Sequence, residues 1–116
     1  MTLEELKNIR YIEIDMRTQE LITAGFIFDG RTFSMSLTAQ INWSNFPNLP
    51  DALFPLTIID INEAPYTCSL ANKMNFYYSA LNAKNGPLQS GGVLKTTIHA
   101  CVDEACVQAV VDNRIP

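Results

Sequence analysis

The sequence predicts an α+β fold, a small antiparallel sheet including a hairpin at about 26–35, packed against several short to medium helices. Three observations lead there. Asp29-Gly30 separates two alternating runs, Phe26-Ile27-Phe28 and Arg31-Thr32-Phe33-Ser34-Met35, and an Asp-Gly pair supplies both positive-φ positions of a type I′ turn. Met74, Tyr77, Tyr78 and Leu81 return at spacings of three and four, the helical period. Between these segments Pro47, Pro50 and Pro55 interrupt the chain, and proline removes an N–H and pushes its predecessor out of the helical region.

Length and composition bound the answer. A chain of 116 residues is the size of one domain, so residues 1–116 are expected to form a single one. Apolar residues make up 47% and charged residues 17%, enough apolar surface to offset the entropy of ordering and to exclude intrinsic disorder. The formal net charge is −4, and the eight Lys and Arg residues are scattered from Lys7 to Arg114, so no nucleic-acid partner is expected. The opening MTLEELKNIR is acidic from the start and no stretch approaches the ~20 apolar residues of a spanning helix, so neither a signal peptide nor a membrane partner is expected.

Taken in order, Thr2 and Glu5 form a capping box that opens a short helix. Arg10 to Asp15 then alternates, with Ile12 and Ile14 on one side and acids on the other, which predicts a strand. The hairpin about Asp29-Gly30 is too short to stand alone and needs a helix across its face. Ser36 is the candidate N-cap of that helix, with Leu37 and Ile41 as its inner face and Ala39 or Trp43 as further members. Leu56 to Ile61, the turn Asn62-Glu63-Ala64-Pro65 and Tyr66-Thr67-Cys68 predict a second, smaller hairpin. A helix opened by Ser69 or Cys68 runs to about Ala83 and ends at Asn85-Gly86-Pro87. A last helical stretch carries Val93, Leu94, Thr97, Ile98 and Cys101, and Asp103 caps a further piece with Cys106, Val107, Val110 and Val111.

Little of this points to chemistry. Cys68, Cys101 and Cys106 are odd in number and irregular in spacing, which predicts reduced, mostly buried thiols. On one continuous helix Cys101 and Cys106 stand well apart, and with His99 they leave a zinc site short of a fourth ligand, so no metal or cofactor is expected. His99 has no nucleophile at a telling spacing, and Asp15, Asp29, Asp51 and Asp60 are spread along the chain. No catalytic residue is assigned. The aromatics Phe26, Phe28, Phe33, Trp43, Phe46 and Phe54 are the candidates for contact with other proteins, with core packing the competing use of the same rings.

The run Thr18-Gln19-Glu20-Leu21-Ile22, Gly25-Phe26, Phe28-Asp29-Gly30, Phe33-Ser34, Ser36, Ala39-Gln40 and Asn42-Trp43, with Ser90-Gly91, Leu94-Lys95 and Val110 to Arg114, resembles a group of small phage-encoded proteins of unknown activity. The resemblance covers about Met16 to Arg114 and departs at Gly92, where an arginine is expected. Similar domains are attached to phage tail-fibre and tail-associated proteins. That resemblance implies a structural component of a bacteriophage virion, in tail, baseplate, fibre attachment or capsid exterior, made in the host cytoplasm and acting through other virion proteins as a homo-oligomer. A tail-fibre assembly chaperone absent from the mature particle is the alternative, and a small hydrolase a more distant one. The expectation is of a protein that is not an enzyme.

Overall fold

The computed structural model describes residues 1–115. It is an α+β structure of four helices and two two-stranded antiparallel sheets: α1 (Leu3–Thr23), β1 (Phe26–Phe28), β2 (Arg31–Phe33), α2 (Leu37–Ser44), β3 (Leu56–Ile59), β4 (Pro65–Cys68), α3 (Lys73–His99) and α4 (Glu104–Ala109). The chain divides into two compact units, one made of residues 1–21 with the C-terminal part from Gly86 onward, the other of Ile22–Asn85.

In the second unit the hairpins form as their turn chemistry dictates. Asp29 and Gly30 take φ of 51° and 74°, and Phe26 pairs with Phe33, Ile27 with Thr32 and Phe28 with Arg31. β3 and β4 pair from Leu56–Cys68 to Ile59–Pro65, and the Asp60 carboxylate fixes their turn by accepting from the N–H groups of Asn62 and Ala64 at 2.8 and 3.0 Å. The Ile61 N–H donates to Thr32 O at 2.9 Å, joining the second hairpin to the first. Gly25, at φ 89°, turns α1 into β1, and a Cβ there would lie 2.5 Å from Phe33 O, so only glycine fits. Ser36 caps α2 by accepting from the Ala39 N–H at 3.2 Å.

The α2 face differs from the expected one. Ala39 and Trp43 turn inward, while Leu37 and Ile41 are 76% and 63% exposed. The indole decides it: its Nε1–H donates to Ser34 O at 2.9 Å while the ring joins the aromatic core, and Leu37 and Ile41 fall on the opposite side of the helix.

In the first unit the expected short helix and strand are corrected to one helix, α1, of 21 residues. No proline or glycine falls between Thr2 and Ala24, and Leu3, Leu6, the half-buried Arg10, Ile14 and Thr18 keep a three-to-four spacing across the run that read as alternating. Ile14 is buried and Ile12 lies on the outer side. The expected stop at Asn85-Gly86-Pro87 is corrected too, because α3 continues through Pro87 to His99. A proline there forfeits one ladder bond. The burial of Gly91, Ile98 and Cys101 beyond it, with Leu94 packed alongside, offsets that loss. Asp103 caps α4 as expected, its carboxylate accepting from the Cys106 N–H at 2.8 Å.

Candidate interaction surface

The six aromatics singled out in the sequence all lie in or against the core of the second unit. Phe26, Phe33 and Phe46 are 7%, 0% and 2% exposed, so these rings present almost nothing to a partner. Phe28, Trp43 and Phe54 are half-buried and pack on the same cluster. The hub is Phe76, which sequence reading passed over; its ring centroid lies 4.9–5.4 Å from those of Phe26, Phe28, Phe33, Trp43 and Phe46. Most of these contacts are edge-on, the arrangement that ring quadrupoles favour. The signal was present as Lys73, Phe76, Tyr77, Ala80 and Ala83 at helical spacing, but Ala80 and Ala83 carry little apolar weight in a pattern search.

What does reach solvent is aliphatic. On α1, Ile9, Ile12 and Met16 are 39%, 61% and 62% exposed. Their spacing puts all three on one face, opposite Ile14 and Thr18, with the acids Glu13 and Glu20 beside it. In the second unit Leu37 and Ile41 stand one turn apart on α2, and Ile27, Ile59 and Ile61 are exposed on or beside the hairpins. Single exposed hydrophobics need no explanation, but a row of three on one helix face does.

Three polar clusters hold the units in shape. In the first, the Arg114 guanidinium takes the Asp112 carboxylate with two bonds of 2.8 Å and donates to Pro87 O, Ser90 Oγ, Ile14 O and Thr18 Oγ1 at 3.0–3.2 Å. The Arg114 bonds hold the Asp112 carboxyl below the usual carboxylate range, against a smaller opposing effect of burial. In the second, the buried Lys73 ammonium donates to Leu49 O at 2.6 Å and Asp51 Oδ1 at 3.0 Å, and lies over the Phe54 ring. In the third, Tyr66 donates its hydroxyl to Asp29 Oδ2 at 2.8 Å, and burial first, Asp29 second, push the phenol above its ordinary value. Asp29 therefore has a partner beyond the turn it builds.

The cysteines divide. Cys68 is free and fully buried, and burial pushes its thiol up. Cys101 and Cys106 correct the expectation of reduced thiols, because they form a disulfide with Cα atoms 5.5 Å apart. α3 ends at His99 and the chain turns before α4, which brings together two residues that one continuous helix would have kept apart. His99 lies exposed beside Tyr11, Asp15, Lys95 and Thr96, and its carbonyl accepts from Lys7 Nζ at 2.9 Å. Among the described residues no three His, Cys, Asp or Glu side chains gather as a metal site, and no helix is long and apolar enough to cross a membrane.

Comparison with protein-family models, with curated proteins and with solved structures finds no match to this chain.

Proposed function

We propose that the protein works by binding other protein surfaces, as a structural component of a bacteriophage virion. The observation that carries the binding role is the row Ile9, Ile12 and Met16 on the outer face of α1, apolar side chains exposed on a helix whose opposite face already fills a core. Their burial against a partner removes apolar area from water at about 25 cal/mol per Å², and the acids beside them give the patch the polar rim of a protein interface. The virion setting rests on the resemblance to small phage-encoded proteins carried by Gly25-Phe26, Phe28-Asp29-Gly30 and Ala39-Gln40.

The test is light scattering behind size-exclusion chromatography on the isolated chain, together with a proteomic count in purified particles. Stoichiometric copies in the particle, lost in an Ile12→Glu, Met16→Glu variant that keeps its thermal unfolding midpoint, are the expected result. A folded monomer absent from particles moves the reading to an assembly chaperone, which uses the same kind of surface and leaves before the particle is complete. A variant incorporated as well as the unsubstituted chain removes α1 as the contact.

A further inference from the structure

We infer that the Cys101–Cys106 disulfide is a reversible lock on a C-terminal arm, formed by α4 and the tail that follows it, and that thiol reductants release this arm. The inference stands apart from the binding role proposed above. It begins with the weakness of α4, a six-residue helix in a size range where isolated helices do not persist in water. What holds it is external. Val107 is fully buried with Ile14, Ile98 and Cys101. The Cys106 N–H is capped by Asp103 at 2.8 Å, and the Cys106 sulfur is bonded to Cys101, so cap and bridge act on one residue. Beyond α4, Val110 packs against the same core, and polar contacts tie the tail, from the Arg10 guanidinium to Val110 O and from Arg114 to Ile14 O, Thr18 Oγ1, Pro87 O and Ser90 Oγ.

The two sulfurs are unequally placed. Cys101 is 4% exposed, within the small core of this unit, whereas Cys106 is an exposed residue. An external thiolate therefore attacks the Cys106 sulfur and breaks the S–S bond, and the Cys101 sulfur leaves as a thiolate that takes up a proton. A second thiolate attacks the reductant's own sulfur in the mixed disulfide and frees Cys106. In sum, two thiols of the reductant give up two electrons and become one disulfide, and the protein gains two thiols. A small-molecule disulfide runs the same exchange backwards.

The experiment uses the full chain, held in dithiothreitol or in oxidised glutathione. Maleimide labelling with mass detection counts thiols, and hydrogen exchange follows residues 104–115. Expected is one thiol after denaturation of the oxidised chain and three after reduction. Reduction is also expected to speed exchange in 104–109 by roughly tenfold or more, with the hairpin amides of 26–33 and 56–68 unchanged. Cys106→Ser should show the fast exchange in either buffer. Equal exchange in the two states would overturn the lock, as would loss of protection throughout the chain on reduction. Three free thiols in the chain held in oxidised glutathione would overturn it as well.

Discussion

Arg114 and Asp112 face each other as a two-pronged pair, Nε to Oδ1 and Nη2 to Oδ2, each at 2.8 Å, with both side chains about one-seventh exposed. They are two residues apart in the tail after α4, so the pair does little to close the chain on itself. Its effect is to present the guanidinium, already neutralised, to α1 and α3, where Ile14 O, Thr18 Oγ1, Pro87 O and Ser90 Oγ accept its remaining N–H groups. A planar fork of five N–H groups reaches these six acceptor atoms with Nη2 shared among three of them, and the three donors of a lysine cannot.

Arg114→Ala should therefore cost the first unit about 2–3 kcal/mol, since it strands a largely buried carboxylate and four acceptors. Arg114→Lys should recover less than half of that loss, because charge alone does not rebuild the fork. Urea unfolding of the three chains decides it. A lysine variant as stable as the unsubstituted chain would show that the positive charge, and not the geometry, holds the tail.

The same pair sets an acid limit. The folded Asp112 carboxyl titrates below its unfolded value because Arg114 hydrogen-bonds its charged form, so in the window beneath the unfolded value of about 3.9 the unfolded chain binds more protons. The pair's contribution is present in full above about pH 5 and is lost as the pH falls through 4 toward the folded value. Unfolding midpoints in urea at pH 6 and pH 3 should differ less for Asp112→Asn than for the unsubstituted chain, and an identical difference would count against this assignment.

Alkaline behaviour has the opposite sign. Burial and Asp29 raise the Tyr66 phenol, and burial raises the Cys68 thiol, so the folded state keeps protons that the unfolded state releases. Stability from these groups is complete below their unfolded values, about 8.5 for the thiol and 10 for the phenol, and is lost above them. Cys68→Ala should remove the earlier part of that loss, measured as a shallower fall in thermal midpoint between about pH 8.5 and 9.5. An unchanged fall would exclude the thiol.

The hairpins, their turns and the caps of α2 and α4 were legible because each rests on local chemistry: Asp29-Gly30, Ser36 and Asp103 do the same thing in almost any context. The extent of α1 and α3 was not, since the alternation of Arg10 to Asp15 inside α1 and a Gly86-Pro87 break inside α3 are local signals overruled by packing at a distance. The role of Arg114 was not legible, because its five partner residues span 14 to 112 and only the folded chain collects them. The disulfide was not legible because three cysteines at irregular spacing give no pairing, and only the turn between α3 and α4 brings Cys101 to Cys106.

Phe76 carries a stability prediction of its own. Fully buried and in ring contact with Phe26, Phe28, Phe33, Trp43 and Phe46, it joins α3 to β1, β2 and α2. Phe76→Ala should cost the second unit about 3–5 kcal/mol, and Phe76→Leu roughly half of that, because leucine refills most of the volume without the ring edges. Hydrogen exchange in β1 and β2 reads the loss directly. Unchanged hairpin protection in Phe76→Ala would mean that the sheet stands without its hub.

Two adjacent glycines in α3 make opposite predictions. In a helix interior Gly→Ala gains about 1 kcal/mol from backbone entropy alone. At Gly92 a new Cβ would meet nothing within 4 Å, so Gly92→Ala should realise most of that gain. At Gly91 the Cβ would lie 2.6 Å from Thr18 Oγ1 and 3.3 Å from Arg114 Nη1. Thr18 is 4% exposed and its hydroxyl already accepts from Arg114 at 3.1 Å, so it has no room to turn aside without breaking that bond. Overpacking of this kind costs about 1–3 kcal/mol and the lost hydrogen bond about 1 more, which together outweigh the helical gain. Gly91→Ala should therefore lower the thermal midpoint and Gly92→Ala raise it. Shifts of the same sign at both positions would show that α1 does not approach α3 through Gly91.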